Sequence, residues 1–464
     1  MQRYIYIDEF SNFKEFLLEL NNYEKDKLTI NLLVGKNGSG KSTFLDAMFQ
    51  IATHNLKGMD FIDKKTVLKY SIKDNDKLTI TNLSREESEY SLFKNKIEKP
   101  WSKVIRFYTG NTKRNSHLNT RSIIDINIDK SKWIFMALIF SGKLDLENTN
   151  NEISNKWKEV LQLISINNCN DIQQYVNPKV VWIETNCRNN NDKFSELLSD
   201  INIRNPHFSM PSPNNLLNTN DKEYYRHFWL LNNNSSHFVN KINSVESLLN
   251  FLEYSNNIEN DNEIIFKDCG FIYSFGNKKD IPIFPDQFLS DGEHALINRY
   301  ALLSILKDCI VNNIKEKFLI LFDEPETHFN EFWKTEFLFF LEQTLKDCPH
   351  DVFIATHSAM LVTDAKKDEI HRLEKSGNRP FSYPTPINTF GVNVIDIGKA
   401  LFQMESDIGR RSQTEIEEAI KKGDPDVLNK LLREVGPGEW RWKIRTAIKD
   451  IEHTNKCKNY AKKD

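Results

Sequence analysis

An α/β fold built around a sheet of buried strands is predicted by three stretches of the 464-residue sequence. The apolar run Leu28-Thr29-Ile30-Asn31-Leu32-Leu33-Val34 passes at once into Gly35-Lys36-Asn37-Gly38-Ser39-Gly40-Lys41-Ser42-Thr43, and Thr43 to Phe49 then reads as the start of a helix. Lys317 to Phe322 is a second apolar run, ending in Asp323 and Glu324; Asp351 to Thr356 is a third, ending in His357. Charges at the tips of buried strands need a use or a partner. Strand, glycine-rich loop and helix with the spacing G-x-x-x-x-G-K-[ST] make a P-loop. Glycines let successive N–H groups turn inward on phosphate oxygens, and the helix adds the positive end of its dipole. Lys41 is then expected at the β- and γ-phosphates and Ser42 on Mg²⁺.

Composition sets the limits within which this core operates. The length allows two or three lobes, or one nucleotide-binding fold with insertions. With 62 basic against 65 acidic residues, the balance of charge does not mark a nucleic-acid binder, although a local basic surface is compatible with it. Six cysteines without a C-x-x-C pair argue against a zinc site or a disulfide framework and suit a reducing cytosol. Acids occupy the place of a signal peptide's apolar core, and the longest apolar run, Trp133 to Phe140, is too short to span a bilayer. A cytoplasmic location and no membrane partner are expected.

Residues 1–120 read as a sheet-rich lobe carrying the P-loop. Tyr4 to Ile7, Leu28 to Val34 and Lys103 to Tyr108 are expected strands, and Val67 to Ile72 pairs with Lys77 to Thr81 around a turn. Residues 121–260 read as a helical insertion with helices at Trp133 to Ser141, Ile153 to Ile164, Phe194 to Ile201 and Val245 to Tyr254, punctuated by asparagine-rich loops. No apolar heptad is sustained there, which argues against long coiled-coil arms. Residues 261–375 return to the sheet, with strands at Glu263 to Phe266 and Phe271 to Ser274, and carry the remaining motifs. Residues 376–464 form a C-terminal extension: an extended Pro-containing connector, then helices at Val394 to Gln403, Thr414 to Lys422, Pro425 to Glu434 and Trp440 to His453.

Leu289-Ser290-Asp291-Gly292-Glu293 opens a helix with a buried side, and its free N–H groups form an anion cradle. Taken alone such a string is more often a cap than a ligand site. In the phosphoryl-transfer template, Asp323 supports Mg²⁺ and Glu324 polarises an attacking water. A lone histidine is usually structural; at the edge of the same sheet, His357 can instead meet the γ-phosphate or the water.

Together, the loop through Gly40-Lys41-Ser42, Leu289 to Glu293, Asp323-Glu324-Pro325 and His357 resemble the Walker A, signature, Walker B and switch-histidine motifs of the ABC ATPase superfamily, in order. Glu326 to Trp333 is similar to its soluble RecF-like and OLD-like branch, which is SMC-related. Phe107 to Arg114 resembles a segment of anti-phage ATPases of the Septu and retron-associated type, and the chain as a whole resembles defence ATPases that include those of PARIS systems. The resemblance implies an ABC-type P-loop NTPase with a mixed sheet. It implies ATP and Mg²⁺ as cofactors, with Gly35 to Thr43 and Ser290 to Glu293 binding nucleotide, Ser42 and Asp323 binding the metal, and Glu324 and His357 acting in catalysis. The Q-loop glutamine has no clear counterpart; Gln287 lies beside the signature, and Asn111 is a polar substitute. The resemblance further implies a head-to-tail homodimer or larger homo-oligomer in which Ser290 and Gly292 complete the site around Lys41 of another copy.

No deaminase, HNH or topoisomerase-primase pattern occurs in the extension, so a nuclease or toxin effector is expected on a separate polypeptide. Trp440, Arg441, Trp442, Lys443 and Arg445 suit either nucleic acid or, more often, a docking helix with buried tryptophans. The function expected is that of an ATPase sensor or scaffold in anti-phage defence, its trigger a nucleic acid or phage protein. The alternatives are a RecF-like repair ATPase that binds DNA directly, a transporter's nucleotide-binding subunit, and a scaffold held by ATP without turnover.

Overall fold

The computed structural model describes residues 2–20, 27–57, 68–74, 77–83, 101–108, 123–127, 176–187, 192–200, 205–213, 223–230, 266–275, 283–285, 290–292, 295, 296, 299, 317–345 and 350–460. The chain divides into two compact units, Met1–Val392 and Asn393–Asp464. In chain order the first carries β1 (Gln2–Phe10), β2 (Phe13–Leu20), β3 (Thr29–Val34), α1 (Lys41–Lys57), β4 (Leu68–Asp74), β5 (Lys77–Leu83), β6 (Lys103–Tyr108) and β7 (Ile123–Asn127). There follow β8 (Val176–Thr185), α2 (Asp192–Asp200), β9 (Phe208–Pro211), β10 (Tyr225–Leu230), β11 (Phe266–Phe275) and β12 (Ile283–Pro285). The remainder is β13 (Phe318–Asp323), α3 (Glu331–Leu345), β14 (Asp351–Ala355), α4 (Ala359–Thr363), β15 (Ile370–Ser376) and β16 (Arg379–Tyr383).

The central sheet has seven strands in the order β16-β15-β3-β14-β13-β6-β7. All its neighbours run parallel except the edge strand β16. Its middle strands are mostly apolar and buried because both faces are covered. Leu33 pairs with Ala355 and Ala355 with Asp323, so β3, β14 and β13 finish level and deliver their polar tips to one edge.

A four-stranded antiparallel sheet, β2-β1-β4-β5, supplies Ile5, Ile7, Phe13, Phe16, Leu18 and Leu20 to the same core as Phe44, Leu45 and Met48 of α1 and Leu33, Leu321 and Phe353 of the central sheet. The Phe44 ring lies 5.8 Å from Phe16 and 6.0 Å from Phe353, so the helix that follows the glycine loop is clamped through one side chain. Burying such a ring contributes about 2–3 kcal/mol. Arg106 on β6 fixes the same helix by an ion pair to Asp46 at 2.8 Å, its guanidinium lying over Phe49.

The third sheet, β12-β11-β8-β10-β9, corrects the helical reading of residues 121–260. Within that span α2 matches an expected helix, but β7 joins the central sheet and β8, β9 and β10 are strands. The run Val180-Val181-Trp182-Ile183, β-branched and aromatic, is what sheet packing favours. The expected helices at 133–141, 153–164 and 245–254 lie outside the described residues. The strand expected at Phe271 to Ser274 lies within β11, which starts at Phe266, whereas Glu263 to Ile265 of the other lie outside the described residues. The boundary expected at 375 falls inside the β15–β16 hairpin, which belongs to the central sheet.

The second unit carries α5 (Val394–Leu401), α6 (Arg410–Lys422), α7 (Pro425–Glu434) and α8 (Glu439–Tyr460). Gly423 ends α6 in the left-handed conformation at φ 64°, and Asp424 caps α7 by accepting from the N–H groups of Asp426 and Val427. Ile416, Leu428, Ile444 and Trp440 form its core. Trp440 is 9% exposed and donates its indole N–H to Asp407 at 2.8 Å, whereas Trp442 is 64% exposed. Only one of the two tryptophans is therefore a packing residue. Among the described residues no helix is long and apolar enough to cross a membrane.

Candidate functional site

The chain leaves β3 at Gly35, whose φ of 149° and closeness to β15 both require glycine: a Cβ there would stand 2.2 Å from the Leu373 carbonyl oxygen. Ser39 N–H closes the loop onto Lys36 O at 3.1 Å, and Phe44 N–H reaches Gly40 O as α1 begins. The first turn of α1 has no acidic residue of its own, which leaves the positive end of the dipole to groups outside the helix. Lys36 and Asn37 are exposed, Thr43 is half-buried, and the buried Ser39 hydroxyl has no protein partner. An orphaned hydroxyl just before a helix start fits a phosphate-bearing ligand.

Lys41 is buried within this loop and donates to Gly35 O at 2.9 Å and Lys36 O at 3.2 Å. Burial lowers its ammonium to about 8, against the opposing pull of Glu324, Asp323 and Glu326. Ser42 Oγ donates to Asp323 Oδ1 at 2.9 Å, which brings the P-loop and the tip of β13 together. Two hard oxygens facing a phosphate cradle suit Mg²⁺, which takes few protein ligands and keeps waters. Among the described residues there is no cluster of three or more His, Cys, Asp or Glu side chains for a softer metal.

Glu324 follows in left-handed backbone at φ 48°, unusual for a residue with a side chain, and its N–H bonds Ala355 O at 2.9 Å. Its carboxylate lies 3.3 Å from His357 Nε2. Burial, with Lys41 nearby, lowers His357 to about 4, so the ring is neutral at pH 7. The 3.3 Å approach is thus a close contact between a neutral ring and a carboxylate rather than an ion pair. Lys41, Ser42, Asp323, Glu324 and His357 accordingly meet at one edge of the central sheet.

Of the expected signature, Ser290 to Gly292 are among the described residues. Ser290, Asp291 and Gly292 stand at a helical segment, and a Cβ on Gly292 would meet His328 O and the Trp333 ring, each at 3.0 Å. Arg299, from the same segment, donates from Nε to Pro325 O at 2.6 Å. Glu293, Gln287 and Asn111 lie outside the described residues.

Sequence reasoning passed over Glu326, which is buried beside Thr356 and His357. Its signal was a second acid only two residues beyond Glu324, inside a turn.

Residues 30–364 match the family described as "AAA domain, putative AbiEii toxin, Type IV TA system". No curated protein matches the chain. Among solved structures it is similar to the SMC head domain from Thermotoga maritima, at 10% identity and a TM-score of 0.31 over 83% of this chain and 99% of that one. It is also similar to an SmcHead bound to the C-winged helix domain of ScpA, at 13% identity and a TM-score of 0.32 over 82% and 96%. The Smc head domain with an extended coiled coil bound to the C-terminal domain of ScpA, derived from Pyrococcus furiosus, aligns at 12% identity and a TM-score of 0.29 over 88% and 100%. Scores this low add nothing to the family match.

Proposed function

The chain belongs to this AAA-domain family of P-loop ATPases, and from that membership we propose that it hydrolyses ATP with Mg²⁺ and closes as a homodimer around the nucleotide. We place it as the sensor or scaffold of a bacterial anti-phage system whose effector is a separate polypeptide. The observation that carries the ATPase reading is the convergence of Ser42 with Asp323, and of Glu324 with His357, around Lys41.

Bound MgATP would supply the transferable phosphoryl group and the cation that offsets its charge. Lys41 would hold the β- and γ-phosphates, and Ser42 and Asp323 would hold the metal. Glu324 would accept a proton from the attacking water, and neutral His357, 3.3 Å away, would limit the directions its carboxylate can take. Supporting the dimer, the atoms nearest Gly292 belong to His328 and Trp333 rather than to the P-loop, as a signature that serves another copy would require.

Hydrolysis by wild type and by Glu324→Gln tests this. The variant is expected to be slower by about a hundredfold or more, the scale of a lost general base, while binding ATP normally. Equal, near-zero rates would leave only an ATP-held scaffold. In sedimentation the variant with MgATP is expected to run as a dimer, and an unchanged monomer would remove the shared site.

The defence reading is supported by the family description, which names a toxin of a toxin–antitoxin system. The same words favour a second reading in which this chain is itself the toxic component. Growth arrest on expression of the chain alone would select the second reading; arrest only with a co-purifying neighbour would select the first.

A further inference from the structure

Glu326 is 6% exposed and sits in the tight turn after β13, where Thr327 bonds back to Glu324 O through both N–H and hydroxyl and Phe329 N–H reaches Glu326 O. The turn aims the carboxyl inward. Oε1 accepts from the Thr356 hydroxyl and, at 3.3 Å, from the backbone N–H of His357. Thr356 in turn donates its N–H to Leu33 O on the P-loop strand at 3.1 Å, and its hydroxyl accepts from Ser358 N–H at 2.9 Å. One buried oxygen therefore joins the turn that follows Glu324 to the segment that carries His357, and the Thr356 backbone ties that segment to the P-loop strand.

The other oxygen, Oε2, is buried without a protein partner. Leaving such an atom uncompensated is costly, and native structures tolerate few of them. Here the cost falls beside the two groups whose separation decides whether a water can be deprotonated.

We propose that Glu326 is a positioning residue for hydrolysis: through Thr356 and the His357 backbone it sets the approach of His357 to Glu324. This rests on the ATPase reading of Glu324. Glu326 touches neither phosphate nor metal in this role; it acts through the loop that it braces. Burial also raises its carboxyl above the usual range, so an amide is a close substitute for it.

The test uses the full chain and compares Glu326→Ala, Glu326→Gln and Thr356→Val with wild type and Glu324→Gln for hydrolysis, binding of a fluorescent ATP analogue and thermal melting. Glu326→Ala is expected to lower kcat by about tenfold or more, the scale of a sub-ångström misplacement, with KM and analogue affinity within about threefold of wild type. Glu326→Gln keeps an oxygen where Thr356 and His357 donate and is expected to stay within about threefold of wild type in kcat. Thr356→Val removes one donor at nearly constant volume and keeps the test valid if the alanine variant does not fold; its kcat should fall while binding holds.

The proposal is overturned if Glu326→Ala or Thr356→Val turns over like wild type. It is equally overturned if binding falls in step with kcat, as a merely structural role predicts, or if Glu326→Gln fails as badly as alanine. A wild type no faster than Glu324→Gln sinks the ATPase reading and this proposal with it, whereas normal wild-type turnover with unaffected Glu326 variants sinks this one alone.

Discussion

Lys41 is the residue whose chemistry is most exposed to solution conditions. With its ammonium lowered to about 8, it is charged at pH 7 and sheds its proton as pH passes that value, below the point at which an exposed lysine would. ATP binding to the proposed site should weaken as pH rises from 8 towards 10, by up to about tenfold per unit, because the neutral amine must recapture a proton to hold phosphate. A fluorescent-nucleotide titration in which affinity stays flat across that window would contradict it; Lys41→Met should be weaker throughout and flat. At this scale the proposed site was largely legible, because each motif is a short contiguous string at the end of an apolar run. Glu326 was not. Its importance lies in the direction its side chain takes out of a turn whose hydrogen bonds cannot be read from residue order.

Among the elements, the strands that carry motifs were legible for the same reason that they are buried: both faces of β3, β13 and β14 are covered, so each reads as a mostly apolar run. β2 was missed because its buried positions, Phe13, Phe16, Leu18 and Leu20, start with a spacing of three before settling to two. β8 was hidden by asparagine-rich flanks that pointed to helices and loops. The C-terminal helices came through well, since Gly423 and Asp424 do the work of stop and start that their residue types suggest. Two predictions belong here. Trp440→Ala should cost about 3–5 kcal/mol in chemical denaturation of the second unit, whereas Trp442→Ala should leave it nearly unchanged, since only the first is packed and hydrogen-bonded. Asp424→Ala should cost about 1 kcal/mol through loss of the α7 cap.

At the level of the whole molecule, acid should be the chief destabilising condition. His227, His350 and His371 are fully or almost fully buried, and burial holds each at about 4, below the 6.5 of a free imidazole. A folded value depressed below the unfolded one means that all three are neutral in the fold, so the unfolded chain binds more protons as pH falls. The stability they contribute is intact above pH 6.5 and is lost between about 6.5 and 4, with a slope approaching 1.4 kcal/mol per pH unit for each histidine. Melting temperatures recorded across that interval should drop steeply, and His371→Asn should flatten part of the drop. Strand order was the least legible feature, because nothing local in Ile370 to Ser376 announces that it lies beside the P-loop strand rather than past the end of the sheet.

That neighbouring strand has a reach beyond its own hydrogen bonds. The imidazole of His371 meets the Asn31 carboxamide at 3.0 Å between β15 and β3, a polar key that fits only one alignment of the two strands. Two residues further on, the Leu373 carbonyl fills the space that Gly35 leaves by lacking a side chain. Sliding the hairpin by a single position would turn the key outward and withdraw the floor from under the glycine loop. A lesion in the Gly377 bend, itself outside every motif, would then register as a slackened hold on nucleotide.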